Sequence, residues 1–100
     1  MRLKNKVAIV TGGGGGIGEG IVNCLAKEGA SIAVFDMNLE NAVRAASAAE
    51  RKYKRSIIAL HADVTVNESV SSMVDAVIKA FGKIDILVNN VGISGSIGLP

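Results

Sequence analysis

Two patterns of apolar and polar positions alternate along the 100-residue chain. Four short segments rich in Val and Ile, at residues 7–11, 31–36, 56–62 and 84–89, are almost continuously apolar. Such segments are typical of parallel strands that are covered on both faces of a sheet. The three stretches between them carry apolar residues at helical spacing instead. The pattern therefore predicts the order β-α-β-α-β-α-β and a doubly wound α/β fold with a parallel sheet of strand order 3-2-1-4.

Each predicted helix has one apolar face and a recognisable beginning or end. The first helix ends at Gly29, the second begins after Asn38, and the third begins with a capping box at residues 65–68 and ends at Gly82. Apolar faces are expected to be buried, whereas Arg44 is expected to face solvent. The positions assigned to those faces are Ile17, Ile21 and Leu25, then Leu39, Val43, Ala46 and Tyr53, and finally Val70, Met73, Val74, Val77 and Phe81.

A run of glycines lies between the first predicted strand and the first predicted helix. Seven of the twelve glycines fall between Gly12 and Gly20, and five of them are consecutive. A flexible linker is disfavoured, because a buried strand leads into the run and an amphipathic helix leads out of it. At such a turn, backbone amides without side chains can approach a phosphate at the positive end of the helix.

The spacing inside the run leaves its register open, because it fits G-x-G-x-x-G, G-x-x-x-G-x-G and G-x-x-G-x-x-G. Gly13 and Gly18 also have the spacing of a P-loop. That motif has a lysine beside the phosphates where this chain has Glu19, and a carboxylate there would repel a triphosphate. The sequence therefore disfavours an ATPase or kinase of the P-loop type.

The second predicted strand ends at Asp36, eighteen residues after Gly18. In a Rossmann-type dinucleotide fold, an acidic residue at this place accepts hydrogen bonds from the adenosine ribose. A 2′-phosphate would bring negative charge against that carboxylate, and each like-charge pair at ~4 Å costs about 1 to 4 kcal/mol. Asp36 therefore predicts binding of NAD in preference to NADP.

The net charge, the apolar runs and the content of cysteine and histidine disfavour further classes of binding partner. Eleven basic and nine acidic residues give a net charge of +2, which is too small and too evenly spread to favour nucleic acid or a membrane surface. No apolar run reaches the ~20 residues that span a bilayer, and no secretion signal is recognisable. Cys24 is expected to be a small core residue, and His61 has no partner at metal-ligand spacing, so no metal site is expected. We expect a cytoplasmic protein that binds small molecules.

Three motifs at the ends of alternating strands carry a family resemblance. Residues 11–18 read T-G-G-G-G-G-I-G, residues 63–64 read D-V, and residues 89–92 read N-N-V-G. Together they resemble the short-chain dehydrogenase/reductase family, in its dehydrogenase-like branch, over nearly the whole chain. The family pattern T-G-x-x-x-G-I-G selects the register of Gly12, Gly16 and Gly18. The resemblance implies hydride transfer between a nicotinamide and an alcohol or ketone, in a parent protein that forms a homo-oligomer.

The same resemblance assigns cofactor-binding roles to twelve residues. The implied set is Gly12, Gly14, Gly15, Gly16, Ile17 and Gly18 for the pyrophosphate and nicotinamide side, Asp36 and Met37 for the adenosine ribose, Asp63 and Val64 for the adenine, and Asn90 and Gly92 for the floor after the fourth strand. Members of the family that prefer NADP often carry a basic residue at the positions of Gly15 or Met37. Gly15 and Met37 carry no positive charge, which also favours NAD.

The chain departs from the family pattern in two places. Val91 replaces the usual alanine, which adds bulk at a tight turn. Residues 13–15 lack the serines and asparagines that are common in the family, and an all-glycine loop loses more entropy when it becomes ordered. We therefore expect this loop to bind the cofactor more weakly, and Gly14→Ser to tighten NAD binding.

Catalytic residues of the family are not identifiable in this sequence. The family uses a Y-x-x-x-K pair and a serine, but the single tyrosine, Tyr53, has Ile57 at the lysine position and is expected to pack in the core. The fourth strand would be an exposed sheet edge. We therefore expect residues 1–100 to be the N-terminal part of one NAD-binding Rossmann domain, poorly soluble and inactive alone. The alternative is a non-catalytic NAD-binding module.

Overall fold

Strands and helices alternate through residues 2–63 and 67–90, the part of the chain that the computed structural model describes. Neighbouring strands are all parallel, and their order in the sheet is β3-β2-β1-β4. The predicted α/β fold and strand order are therefore confirmed. The strands are β1 (Val7–Thr11), β2 (Ser31–Asp36), β3 (Ile57–His61) and β4 (Ile86–Asn89), and the helices are α1 (Gly16–Lys27), α2 (Leu39–Tyr53) and α3 (Asn67–Phe81).

The register of the sheet brings the carboxyl ends of the strands to one edge. Thr11, the last residue of β1, pairs with Phe35 on one side and with Asn89 on the other. On the next strand, Asp36 pairs with His61. Loops that leave this edge are therefore neighbours in space, which is where open α/β sheets bind ligands.

Both faces of the sheet are covered by apolar side chains, as the continuous apolar strands predict. Along β1, Ala8 and Val10 pack toward α1 and α2, whereas Val7 and Ile9 pack toward α3. The first side is filled mainly by small residues and the second by larger ones. The largest completely buried side chains are Phe35, Ile32, Val10, Val22, Val34 and Val77.

The buried face of α2 differs from the predicted one. Leu39 and Val43 were assigned to the core by their spacing, but they are 44% and 46% exposed. Ala46 is buried as expected, together with three further alanines of the same helix. Small side chains allow this helix to pack closely on its neighbours, so alanine rather than leucine marks its inner face.

The other two helices show the same kind of shift. In α1 the buried positions are Gly18, Val22 and Ala26, whereas Ile17 is 70% exposed. Cys24 is exposed, so the expectation of a core thiol is wrong, because it lies two residues from both Val22 and Ala26 and therefore on another side of the helix. In α3 the buried positions include Met73 and Val77, whereas Val70 and Val74 are about 40% exposed. The predicted capping box includes residues 65 and 66, which lie outside the described residues.

The edge strand β4 is shorter than its apolar pattern suggests. It begins at Ile86, two residues after the predicted start at Ile84. Asp85 Oδ2 accepts from the backbone N–H of Val7 at 2.9 Å, and the Asp85 N–H donates to the Val7 carbonyl at 2.8 Å. Strand β3 likewise ends one residue before the predicted Ala62. Within the two described ranges, none of the helices has the length and apolar character needed to cross a membrane.

Candidate functional site

The glycine-rich loop between β1 and α1 is anchored at its base by β2. The backbone N–H groups of Gly12 and Gly13 both donate to the carbonyl of Phe35, at 2.7 and 3.3 Å. Gly12 has a φ of 68° and Gly16 a φ of 52°, values in the left-handed region that favours glycine. The chain therefore turns sharply where it leaves the sheet and again where it enters α1.

Gly18 allows the first turn of α1 to rest directly on this loop. A Cβ atom at Gly18 would fall on the carbonyl oxygen of Gly12 and lie 2.8 Å from the Cα of Gly13. The left-handed backbone at Gly12 and Gly16 adds two further positions that favour glycine. These three positions form the register T-G-x-x-x-G-I-G, which the spacing of the glycines alone left open.

The outer side of the loop is open. A Cβ atom at Gly15 or Gly16 would meet no heavy atom within 4 Å. Gly15 is the N-cap residue of α1, and glycine has no side chain with which to cap the helix. The Gly18 N–H donates to the Gly15 carbonyl at 3.1 Å, so the amides of Gly16 and Ile17 are the ones that another acceptor could satisfy, at the positive end of the helix dipole. This arrangement can receive a phosphate group.

Gly14 lies on the crowded side of the loop, against the beginning of α2. A Cβ atom there would lie 2.8 Å from both Asn41 Cβ and Asp36 Oδ2, and 2.9 Å from the backbone nitrogen of Ala42. Side chains cannot enter this space unless α2 moves. This crowding argues against the expectation that Gly14→Ser would tighten NAD binding, because a serine would displace the loop instead of extending toward a ligand.

Asp36 connects the end of β2 to the same loop. Its Oδ2 accepts from the backbone N–H of Gly14 at 3.0 Å, and its Oδ1 accepts from the backbone N–H of Asn38 at 2.9 Å. Asn38 in turn caps α2 by accepting from Asn41 N–H at 3.1 Å. The carboxylate is half-buried and has further lone pairs with which to accept from a ligand hydroxyl.

Arg44 also contacts the loop, although its position in the sequence suggested a solvated residue. Its Nη2 donates to the carbonyl of Gly14 at 2.9 Å, and its Nη1 lies 3.3 Å from Oε1 of Glu19. Arg44 follows Gly14 by 30 positions and Glu19 by 25, and α2 also carries Arg51 and Lys52. The sequence therefore holds no signal that distinguishes Arg44 from them.

Asn90 joins the end of β4 to the loop from the other side. Its Nδ2 donates to the carbonyl of Gly12 at 3.2 Å, and its backbone N–H donates to Thr11 Oγ1 at 3.1 Å. Thr11 is 3% exposed, and its hydroxyl lies 2.9 Å from Oδ1 of Asn89. The structure thus brings together Gly12, Gly14, Asp36 and Asn90, which the family resemblance assigns to one site.

The remaining predicted site residues are distributed around this centre. Ile17 and Met37 are exposed, the first in the opening turn of α1 and the second directly after β2. Asp63 is half-buried, two residues beyond the end of β3 and therefore near the same edge of the sheet. Val64 and Gly92 lie outside the described residues.

The surroundings of Tyr53 are those of a packing residue. It lies at the end of α2, is half-buried and packs against the core cluster on the α1–α2 side. The Nζ of Lys52 lies 5.4 Å from the centre of its ring. The prediction that Tyr53 packs in the core is consistent with these contacts. In residues 2–63 and 67–90 we find no group of three His, Cys, Asp or Glu side chains that could hold a metal ion.

The fold is of the Rossmann type. Its parallel sheet has the order 3-2-1-4, a glycine loop leads from the first strand into a helix, and an acidic residue ends the second strand. The family model for the short chain dehydrogenases matches residues 6–99. The chain therefore belongs to the short-chain dehydrogenase/reductase family, as the sequence motifs indicate.

Similar proteins are dehydrogenases and reductases. Xanthoxin dehydrogenase of Arabidopsis thaliana is 38% identical over 96% of this chain, and galactitol 2-dehydrogenase of Agrobacterium fabrum is 42% identical over 93% of it. Among solved structures, an NAD⁺-bound xylitol dehydrogenase is 41% identical and superposes with a TM-score of 0.90 over 96% of the chain. An L-sorbose reductase from Gluconobacter frateurii, complexed with NADPH and L-sorbose, is 37% identical with a TM-score of 0.89 over 96% of the chain.

The chain is much shorter than these relatives. It spans 34% of the xanthoxin dehydrogenase and 35% of the galactitol dehydrogenase. It also spans 36% of the xylitol dehydrogenase and 37% of the sorbose reductase. The chain therefore corresponds to about a third of the length of the proteins that it matches.

Proposed function

We propose that this chain is the cofactor-binding part of an NAD-dependent oxidoreductase that acts on an alcohol or a ketone. The observation that carries the proposal is the Asp36 carboxylate, which is bonded to Gly14 at the mouth of an otherwise side-chain-free loop. An acid held at this place can accept hydrogen bonds from the two hydroxyls of an adenosine ribose.

The other groups of the site suit the rest of a dinucleotide. The open space beside Gly15 and Gly16, at the beginning of α1, suits a pyrophosphate. The exposed side chains of Ile17, in the first turn of α1, and Met37, directly after β2, offer apolar surface for the other parts of the nucleotide. Once bound, the nicotinamide would supply or accept the hydride. The residues of this chain would hold and orient the nucleotide.

Preference for NAD over NADP rests on charge at the ribose. The similar structures include both an NAD⁺ complex and an NADPH complex, so resemblance alone favours neither cofactor. At ~4 Å from Asp36, a 2′-phosphate would meet a repulsion of about 1 to 4 kcal/mol for each unit of charge. Gly15 and Met37 provide no positive charge to offset it. We therefore expect NAD to bind at least about tenfold more tightly, since 1.4 kcal/mol is a factor of ten.

Hydride transfer would also need residues that are not identifiable in this sequence. Since the relatives are about three times longer, we propose that the chain forms the N-terminal part of one catalytic domain. In the full reading frame, a serine followed by Y-x-x-x-K beyond Pro100 would support an enzyme. A complete downstream sequence without that pair would favour the alternative, a module that binds NAD without catalysis.

The nucleotide preference can be tested with titrations of NADH and NADPH, followed by their fluorescence, in the protein encoded by the full reading frame. Asp36→Ala should weaken NADH binding and bring the two dissociation constants together. Asp75→Ala is a matched control, because it removes an equal charge from the exposed surface of α3. Equal binding of NADH and NADPH by the wild type, with no change in Asp36→Ala, would refute the proposal.

A further inference from the structure

The glycine loop presents a physical problem that its neighbours have to solve. Five consecutive residues without a Cβ atom have wide conformational freedom, so fixing their backbone costs conformational entropy. A loop that ordered itself only on contact with the nucleotide would lose that free energy from binding. Contacts that fix the backbone beforehand would restore affinity.

The backbone of Gly14 is held from two directions. Its N–H donates to Asp36 Oδ2 at 3.0 Å, and its carbonyl accepts from Arg44 Nη2 at 2.9 Å. The first contact comes from the end of β2 and the second from α2, so the middle of the loop is fixed between a strand and a helix. In the ligand-bound state that we propose, Asp36 would also accept from the ribose, whereas Arg44 would keep its contact with the loop backbone.

The guanidinium of Arg44 reaches a third element at the same time. Its Nη1 lies 3.3 and 3.4 Å from the two carboxylate oxygens of Glu19, in the first turn of α1. Arginine can serve a carbonyl and a carboxylate together because its donors form a rigid planar fork, whereas lysine presents a single point charge. The Glu19 contact orients the fork so that Nη2 faces the loop.

We propose that Arg44 is a positioning residue that holds the Gly14 carbonyl and so pre-orders the cofactor loop before the nucleotide binds. The inference rests on the proposed cofactor site and names a residue that acts on it indirectly. Arg44 touches the backbone of the loop, and Glu19 keeps its guanidinium in place. Because the Arg44 side chain is 57% exposed, solvent screens the ion pair. The effect is therefore carried mainly by the hydrogen bond to Gly14.

The test compares Arg44→Ala, Arg44→Lys and Arg51→Ala in the protein encoded by the full reading frame. Arg51 is an exposed arginine in the last turn of the same helix, so its removal matches the change in charge. We expect Arg44→Ala to raise the dissociation constant of NAD about 3- to 10-fold, Arg44→Lys to recover part of that loss, and Arg51→Ala to match the wild type.

A second readout needs no nucleotide and no activity. The amide proton of Gly14 is bonded to Asp36, so its hydrogen-exchange rate reports whether the loop is ordered. Arg44→Ala should speed this exchange without cofactor, and Arg51→Ala should leave it unchanged. In turnover assays, the KM for NAD should rise while kcat at saturating NAD stays within about twofold, the pattern expected when only cofactor binding is affected.

Three outcomes would overturn the inference or its basis. If Arg44→Ala lowers the melting temperature but leaves both NAD affinity and Gly14 exchange unchanged, Arg44 has only a structural role. If Arg44→Ala does not fold, Arg44→Met replaces it, because it keeps the aliphatic stem but removes the donor to the Gly14 carbonyl, and unchanged Gly14 exchange in that variant also rejects the proposal. Failure of the wild type to bind NAD would instead reject the proposed function, which is a separate result.

Discussion

Replacing Gly14 with alanine would place one methyl group against the beginning of α2. The new carbon would lie 2.8 Å from Asn41 Cβ and 2.9 Å from the Ala42 backbone nitrogen, whereas non-bonded carbon atoms prefer about 3.5 to 4.0 Å. Both neighbours belong to the body of a helix, so neither can rotate away. Asp36 Oδ2 is equally close and would lose its bond to the loop. Overpacking of this kind costs about 1 to 3 kcal/mol.

The next residue provides a control without a steric clash. Gly15 has an extended backbone (φ −161°), and a Cβ atom there meets nothing within 4 Å. In Gly15→Ala, the restriction of the unfolded chain stabilises by about 0.4 to 1 kcal/mol, but alanine is less favourable than glycine at the N-cap of α1 by a similar amount, so we expect a stability near that of the wild type.

The assay for this pair is thermal unfolding of the wild type, Gly14→Ala and Gly15→Ala under one buffer condition, followed by NADH titration of each. We expect Gly15→Ala to melt near the wild type and Gly14→Ala below both, and NADH to bind more weakly to Gly14→Ala than to the wild type. If Gly14→Ala were as stable as Gly15→Ala, or bound NADH more tightly than the wild type, the steric argument would be refuted.

Two further predictions concern hydrogen bonds between β1 and the segment that contains β4. The hydrogen bond from the Val7 N–H, and after it the contact with Lys83, lower the pKa of Asp85 from its usual 3.8. The carboxylate therefore stabilises the fold fully at a pH above 3.8. This stabilisation is lost as the pH falls through the lowered pKa of the folded protein. Asp85→Asn should therefore melt below the wild type at neutral pH, and a difference that persisted fully in strong acid would contradict this account. Thr11→Val removes a buried hydroxyl that accepts from Asn90 N–H and should cost about 1 to 3 kcal/mol in denaturant titrations. Thr11→Ser, which keeps the hydroxyl, should lose less, and equal losses in the two variants would show that the hydrogen bond contributes nothing.

The sheet could be predicted from the sequence because its signals are local. The bounds of β1 and β2 match the apolar runs, since each run is continuous and ends at a polar or glycine residue. The inner face of α2 could not be predicted in the same way, because the large apolar residues of this helix do not mark it. The helix instead buries alanines and leaves Leu39 and Val43 partly exposed. Helix phase depends on how closely neighbouring elements approach, which no single segment encodes.

The candidate site was predictable where a residue's role follows from its own strand end. Asp36 and Asn90 could be placed because each follows a recognisable strand, and both contact the glycine loop. The crowding at Gly14 and the contact from Arg44 depend on how α2 packs over the loop. Those properties arise between segments that are separated by about thirty residues, so the pattern of either segment alone does not reveal them.

The contacts around the loop also differ widely in how much of the chain they require. Gly14 and Asp36 are 22 positions apart, whereas Gly12 and Asn90 are 78 positions apart, as are Val7 and Asp85. Contacts between distant positions form slowly, because a long segment must close first. During synthesis from the N-terminus, the loop can be bonded to β2 early but must wait for the ninetieth residue to gain its last support. The loop that follows the first strand of this sheet is therefore completed only after the fourth strand has been made.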